Sequence, residues 1–107
     1  MAHFFVDVTD HRRERVITVS GELDIAHAPQ LASLARVAMT SPSWDILIID
    51  LTNVPFVDST GLGALLDLHT AVTHAGRMVR LRGVQKPVRK VIEITGLTQA
   101  LLVPTDA

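Results

Sequence analysis

Acidic and hydroxyl side chains are concentrated at one point of the chain, Val57-Asp58-Ser59-Thr60-Gly61-Leu62-Gly63, where an apolar run ends and a helical pattern begins. Asp58 and Ser59 are both favourable N-cap residues, because a short side-chain oxygen can accept from the unpaired N–H groups of a first helical turn. The residues therefore predict a strand-to-helix junction with its hydroxyls at the positive end of the helix dipole.

A serine at this position is chemically suited to accept a phosphate. A phosphoryl group adds about −1.5 to −2 charge and three acceptor oxygens, and a helix N-terminus stabilises such charge by about 0.3–1 kcal/mol, or up to ~2 kcal/mol when it is partly buried. We expect the domain to tolerate the modification, while the charge beside Asp58 would repel an acidic partner or disrupt an interface fitted to a neutral hydroxyl. The competing interpretation is that Ser59 and Thr60 only cap the helix.

The helix that follows is predicted to run to about Ala75 and to stop at Gly76. Glycine costs a helix up to about 1 kcal/mol relative to alanine, so Gly61 and Gly63 suggest that another backbone comes close to the first turn. The three- and four-residue spacing on its apolar face is carried by Leu62, Leu65, Leu66, His69, Val72 and Thr73.

Catalytic readings of the same residues find little support. A nucleophile elbow, G-x-S-x-G, needs glycine where this chain has Val57, and His69 lies on the apolar face of its helix, where packing is its expected role. Asp50, which ends an apolar strand, and Lys86-Pro87 resemble parts of a phosphoaspartate receiver. The acidic pair that a receiver carries after its first strand is missing, so we interpret Asp50 as a structural acid and the protein as a non-enzyme.

Composition limits the remaining functions. The 107 residues suffice for one domain, 1–107, and the absence of cysteine suits a reducing compartment such as the cytoplasm. A net charge of −1 gives no general attraction for nucleic acid or an anionic membrane, and no apolar run approaches the ~18 residues of a membrane span. The five histidines include no i, i+4 pair, and no phosphate-binding glycine loop occurs, so neither a metal nor a nucleotide cofactor is expected.

Strand and helix patterns alternate along the chain, which predicts an α/β fold: a mixed β-sheet that begins with an antiparallel hairpin and has helices packed against it. Arg12-Arg13 with Arg15 is interpreted as a solvated hairpin tip, and Phe56 is expected to anchor the connection before the junction in the core. The predicted strands are 4–9, 15–20, 46–51, 77–81 and a short last strand at 101–103, and the further helices begin at Pro29 and at Pro87, the latter ending at Gly96.

The motif Asp58-Ser59-Thr60-Gly61-Leu62-Gly63 resembles the phosphorylation motif of STAS domains of the anti-sigma-factor antagonist type. Three further landmarks resemble that family in the same order, so the similarity covers nearly the whole chain. They are Gly21-Glu22-Leu23-Asp24 followed by Pro29 and Leu31, the run Asp45-Ile46-Leu47-Ile48-Ile49-Asp50, and Thr95-Gly96-Leu97.

The resemblance implies a regulatory role in transcription in bacteria. An unphosphorylated antagonist binds an anti-sigma-factor serine kinase and releases a sigma factor; the kinase, which supplies ATP and magnesium, phosphorylates Ser59, with Thr60 the less favoured acceptor. A PP2C-type phosphatase restores the antagonist. By the same resemblance Asp24 lies near this site, although it could equally be an Asx cap of its loop, and the expected partner-binding residues are Asp24, Asp58, Ser59, Thr60, Gly61 and Gly63. Leu62 is expected in the core. The alternative is a STAS scaffold module of a larger sensory assembly.

Overall fold

A computed structural model describes residues 3–39 and 43–102. Its strands are β1 (Phe5–His11), β2 (Glu14–Ser20), β3 (Ile46–Asn53) and β4 (Met78–Arg82), and its helices are α1 (Ala28–Ala38), α2 (Ser59–His74), α3 (Lys86–Ile94) and α4 (Thr98–Leu101).

The four strands form one mixed sheet in the order β1-β2-β3-β4. β1 and β2 pair antiparallel as the predicted hairpin, whereas β2 with β3 and β3 with β4 pair in parallel. Parallel neighbours require a crossover, and α1 and α2 provide the two crossovers. The predicted fold class is thus confirmed, and the central position of β3 explains why Leu47, Ile48 and Ile49 are all buried.

A single apolar core joins the sheet to the helices. Pro29 lies in the first turn of α1, where its missing N–H costs no hydrogen bond, and Gly76 and Gly96 take positive φ angles directly after the C-caps of α2 and α3. Leu62 is buried as expected. The core also contains Ile17, Val19, Leu23, Leu31, Leu65, Leu68, Val72, Val79, Val88, Ile92 and Leu101.

The hairpin tip differs in part from its prediction. Arg12 and Arg13 are exposed, and Arg13 forms a bidentate ion pair with Asp45, with N···O distances of 2.6 and 2.7 Å. Arg15, however, is only 8% exposed. Its guanidinium pairs with Asp10, which is itself exposed, and lies 5.9 Å from the centre of the Trp44 ring, so Arg15 is largely covered and its charge is paired at the edge of the fold.

Two further expectations are wrong. The segment at Leu101 is helical, because Gly96 turns the chain into α4 and Leu101 packs in the core from that helix; Val103 lies outside the described residues. β3 also continues past Asp50 to Asn53. Asp50 therefore does not close the strand, and the strand ends two residues later than the predicted 46–51.

Candidate functional site

The junction before α2 is built around the Asp58 side chain. Asp58 has an extended backbone and its Oδ1 accepts a hydrogen bond from the Gly61 N–H at 2.8 Å, which makes it the N-cap of α2. Ser59 and Thr60 are the first two helical residues, and both are exposed. The cap is therefore Asp58, and the Ser59 hydroxyl is presented to the surroundings beside the helix N-terminus.

The same carboxylate fastens the 21–27 loop to the junction. Oδ2 of Asp58 accepts from the Ile25 N–H at 3.0 Å, and the Asp58 N–H donates to the Leu23 carbonyl at 3.2 Å. Leu23 also forms an isolated parallel bridge with Val57. One acidic side chain thus holds two separate segments together, the loop after β2 and the first turn of α2.

Replacing this carboxylate should destabilise the fold measurably. Asp58→Ala removes the N-cap, which typically costs about 1 kcal/mol, and the exposed hydrogen bond to the loop, which contributes about 0.5–1.5 kcal/mol. We therefore expect urea unfolding to show a loss of roughly 1.5–2.5 kcal/mol. Asp67→Ala, which removes an exposed acid from the same helix, is the control and should change the free energy of unfolding by less than ~0.5 kcal/mol. Equal effects of the two variants would contradict the role of Asp58.

The two glycines of the first turn have different surroundings. A Cβ at Gly61 would lie 2.0 Å from the Leu23 carbonyl oxygen, so the expected close backbone belongs to the 21–27 loop of the chain itself. At Gly63 the same construction meets nothing within 4 Å. The expectation of a close backbone is thus confirmed at Gly61, whereas at Gly63, which borders open space, no other segment of the described chain comes close, and approach of a partner there stays a prediction.

Asp24 has a local role in shaping the loop. Its Oδ1 accepts from the N–H groups of Ala26 and His27 at 3.1 and 3.2 Å and lies 2.9 Å from His27 Nδ1. These contacts are those of an Asx turn. The Asx-cap interpretation is therefore confirmed, and any contact of Asp24 with a partner remains a prediction.

Two large apolar side chains are exposed on the segments that Asp58 joins. Ile25 is 71% exposed and Phe56 is 47% exposed. The placement of Phe56 in the core is therefore wrong: Val54 and Val57 point inward, and Pro55 and Phe56 between them point outward. The sequence did not identify Ile25 as a surface residue, because a short loop has no regular periodicity that would show whether an apolar side chain faces the core or the solvent.

Ser59 and His69, the residues of the hydrolase alternative, lie far apart along α2. His69 follows Ser59 by ten residues, or about 15 Å along the helix, and its burial lowers its pKa. Asp50 accepts from the Thr52 N–H and hydroxyl and pairs with Arg82 at 3.2 Å. Partial burial opposes ionisation of Asp50, but these hydrogen bonds outweigh it and lower the pKa, as expected for a structural acid.

In residues 3–39 and 43–102, no cluster of three or more histidine, aspartate or glutamate side chains could hold a metal ion. Across the same ranges no helix has both the length and the hydropathy needed to cross a bilayer.

Residues 5–106 match the family model of the STAS domain. The chain belongs to the STAS domain family. The anti-sigma-B factor antagonist of Staphylococcus aureus is 29% identical over 92 residues, which cover 86% of this chain and 84% of that protein. Within the STAS family the chain is of the anti-sigma-factor antagonist type, as the resemblance indicated, and the homologues of that type are regulatory proteins.

Solved structures agree with this assignment. An anti-sigma factor antagonist from Mycobacterium paratuberculosis is 30% identical, with a TM-score of 0.80 over 97% of this chain and 88% of that one. SpoIIAA of Bacillus, solved in its phosphorylated form, has the same fold, with a TM-score of 0.70 and 23% sequence identity. The comparison covers 97% of this chain and 93% of the SpoIIAA chain. The STAS fold of this chain is thus the fold of known antagonists.

Proposed function

We propose that this STAS protein is a phosphorylation-switched antagonist of an anti-sigma factor. In its unphosphorylated form it binds an anti-sigma-factor serine kinase and releases a sigma factor, and phosphorylation of Ser59 ends that binding. The observation that carries the proposal is the exposed Ser59 hydroxyl at the first position of α2, beside a cap already supplied by Asp58. The antagonist type of the family and the phosphorylated state of SpoIIAA support it.

The chemistry requires little of this chain beyond presenting the hydroxyl. The Ser59 oxygen attacks the γ-phosphorus of ATP, the bond between that phosphorus and the β,γ-bridging oxygen breaks, and ADP leaves with the electron pair. The serine proton passes to a base of the kinase, which also holds ATP and magnesium. Because the new charge lies at the positive end of α2, the fold accommodates it. A PP2C-type phosphatase hydrolyses the phosphoserine with water, which releases inorganic phosphate and restores the Ser59 hydroxyl.

The partner surface consists of the junction and the 21–27 loop that Asp58 fastens to it. Asp24 in the loop and Asp58 and Thr60 at the junction provide polar groups on this surface, and Gly63 leaves the helix surface open one turn beyond Ser59. Gly61 is buried against Leu23 and contributes by allowing the loop to lie close. Ile25 and Phe56 add exposed apolar area of the kind that anchors protein interfaces.

The decisive experiment is to incubate the protein and its Ser59→Ala variant with ATP, magnesium and a soluble extract of the source cells, and to locate added phosphate by peptide mass. Phosphate on Ser59 that is absent from the variant is the expected result. An active extract that leaves Ser59 unmodified would contradict the proposal and favour a STAS scaffold whose assembly needs no such switch. Phosphate on Thr60 alone would assign the switch to the neighbouring hydroxyl.

Two exposed isoleucines, Ile25 in the 21–27 loop and Ile94 on α3, allow the apolar part of the partner surface to be tested. We expect Ile25→Asp to weaken binding of the unphosphorylated protein to the kinase by about tenfold, because the variant would bury a charge where an apolar contact is lost. Ile94→Asp is the matched control, since Ile94 is 74% exposed on α3. Dissociation constants of both variants, measured by calorimetry with the purified kinase, decide the point. Similar losses in both would assign the effect to charge in general.

A further inference from the structure

An open apolar groove runs between α1 and α2, directly beside the proposed phosphorylation site. Its volume is about 590 Å³, and half of the residues that line it are alanine or glycine, whose small side chains leave the space between the two helices unfilled. Thr60 belongs both to this groove and to the first turn that presents Ser59. The groove is therefore continuous with the surface that a kinase must cover to reach the hydroxyl.

Gly63 is the residue that the fold itself does not explain. It lies inside α2, where glycine weakens a helix relative to alanine, yet it has no positive φ and a Cβ there would meet nothing within 4 Å. Gly61, two residues earlier, is fully accounted for by Leu23. The open space at Gly63 therefore points to a contact from outside the chain.

The position of Gly63 identifies what makes that contact. Residues four apart lie on the same face of a helix, about 5–6 Å between Cβ positions, so Gly63 is the helical neighbour of Ser59. A macromolecule that takes the Ser59 hydroxyl into its active site and extends along α2 covers Gly63 and the mouth of the groove, since Thr60 and Gly63 both line it. The lining is mainly apolar, and its charged members are Arg36 and Asp67, one on each helix.

We infer that this groove receives an apolar side chain of the anti-sigma kinase, and that Gly63 is kept small to admit it. The inference rests on the proposed function and deepens it, because it assigns recognition of the kinase to a site beside the switch. Arg36 and Asp67 are both exposed and offer one positive and one negative contact at the rim for polar groups of the same kinase segment. Recognition in the groove and modification at Ser59 are thus separable.

Two variants fill the groove from opposite walls. Gly63→Leu adds a side chain from α2, and Ala32→Leu adds one from α1, away from the helix that carries Ser59. Both place leucine, a strong helix former, at helical positions that are not buried, so the midpoints of thermal unfolding should equal or exceed that of the wild type. We expect each variant, in its unphosphorylated form, to bind the anti-sigma kinase at least about tenfold more weakly than the wild type does.

Matched controls lie on the same two helices. Ser33→Leu changes an exposed residue of α1 that is next to Ala32 in the chain but does not line this groove. His74→Leu changes an exposed residue of α2 that lies about 22 Å along the helix from Ser59. Both should bind within about twofold of the wild type. The probes are the anti-sigma serine kinases of the source organism, each expressed and purified, with dissociation constants measured by calorimetry without ATP.

The outcomes separate the inference from the function on which it rests. If the wild type binds a kinase and Gly63→Leu and Ala32→Leu bind it equally well, the inference that the groove receives a kinase side chain is wrong. The proposed phosphorylation switch at Ser59 is not affected by that result. A wild-type protein that binds none of the kinases, and that acquires no phosphate on Ser59, overturns both. If Gly63→Leu fails to fold, Ala32→Leu alone decides, since it leaves α2 unchanged.

Discussion

Ser59→Asp is expected to abolish high-affinity binding to the anti-sigma kinase, whereas Ser59→Ala binds as the wild type does. The aspartate places a fixed negative charge beside Asp58, in an interface fitted to a neutral hydroxyl, and an unpaired or like-charge contact in an interface costs several kcal/mol. A loss of about 3 kcal/mol corresponds to more than a hundredfold in the dissociation constant. Calorimetric titration of the purified kinase with each variant measures this difference directly.

The control for this experiment is Thr70→Asp, which adds the same charge at an exposed position of α2 eleven residues further along. It should bind like the wild type if the effect is local to Ser59. A Ser59→Asp protein that binds as tightly as Ser59→Ala would contradict the switch. A Thr70→Asp protein that binds as weakly as Ser59→Asp would show that net charge alone governs binding.

The loss of binding should not reflect a loss of folding. Charge at the first turn of a helix is favourable by about 0.3–1 kcal/mol, and Ser59 is exposed. The free energy of unfolding of Ser59→Asp should therefore equal or exceed that of the wild type. A switch of this kind changes the partner surface and leaves the architecture in place.

Features that depend on neighbouring residues could be predicted from the sequence. The hairpin follows from alternation of apolar residues, the start of α1 from Pro29, and the ends of α2 and α3 from Gly76 and Gly96, each of which has a positive φ. The candidate Ser59 follows from a motif. In each case the physical cause lies within a few residues along the chain, so the pattern contains it.

Features that depend on distant segments could not be predicted in this way. Phe56 is exposed because Val57 pairs with Leu23, a contact between segments more than thirty residues apart. Leu101 belongs to α4 because it packs in the core beside α2 and α3 rather than at a sheet edge. The dual role of Asp58 has the same origin, since its second oxygen binds Ile25 in a separate loop. These contacts exist only once the chain has folded.

The two glycines of α2 should respond to alanine with opposite signs. Gly61→Ala places a methyl group 2.0 Å from the Leu23 carbonyl oxygen, and because a backbone atom of a bridged segment cannot turn away as a side chain can, the loop or the helix must shift. Overpacking of this kind costs about 3 kcal/mol, from which a helix-propensity gain of up to about 1 kcal/mol is subtracted. We expect a net loss of about 2 kcal/mol or more in urea unfolding.

Gly63→Ala is the matched control, with the same substitution in the same turn. Apart from the neighbouring backbone of α2 itself, no described atom lies within 4 Å of the new methyl group, so only the propensity acts and the free energy of unfolding should rise by about 0.5–1 kcal/mol. Destabilisation of both variants would mean that the chain itself has no room for a side chain at Gly63. The glycine would then be explained by packing within the fold, and there would be no reason to attribute it to a partner. A loss at Gly61 and a gain at Gly63 would instead show that one glycine seats the 21–27 loop, while the other is maintained at a cost in stability for a contact outside the chain.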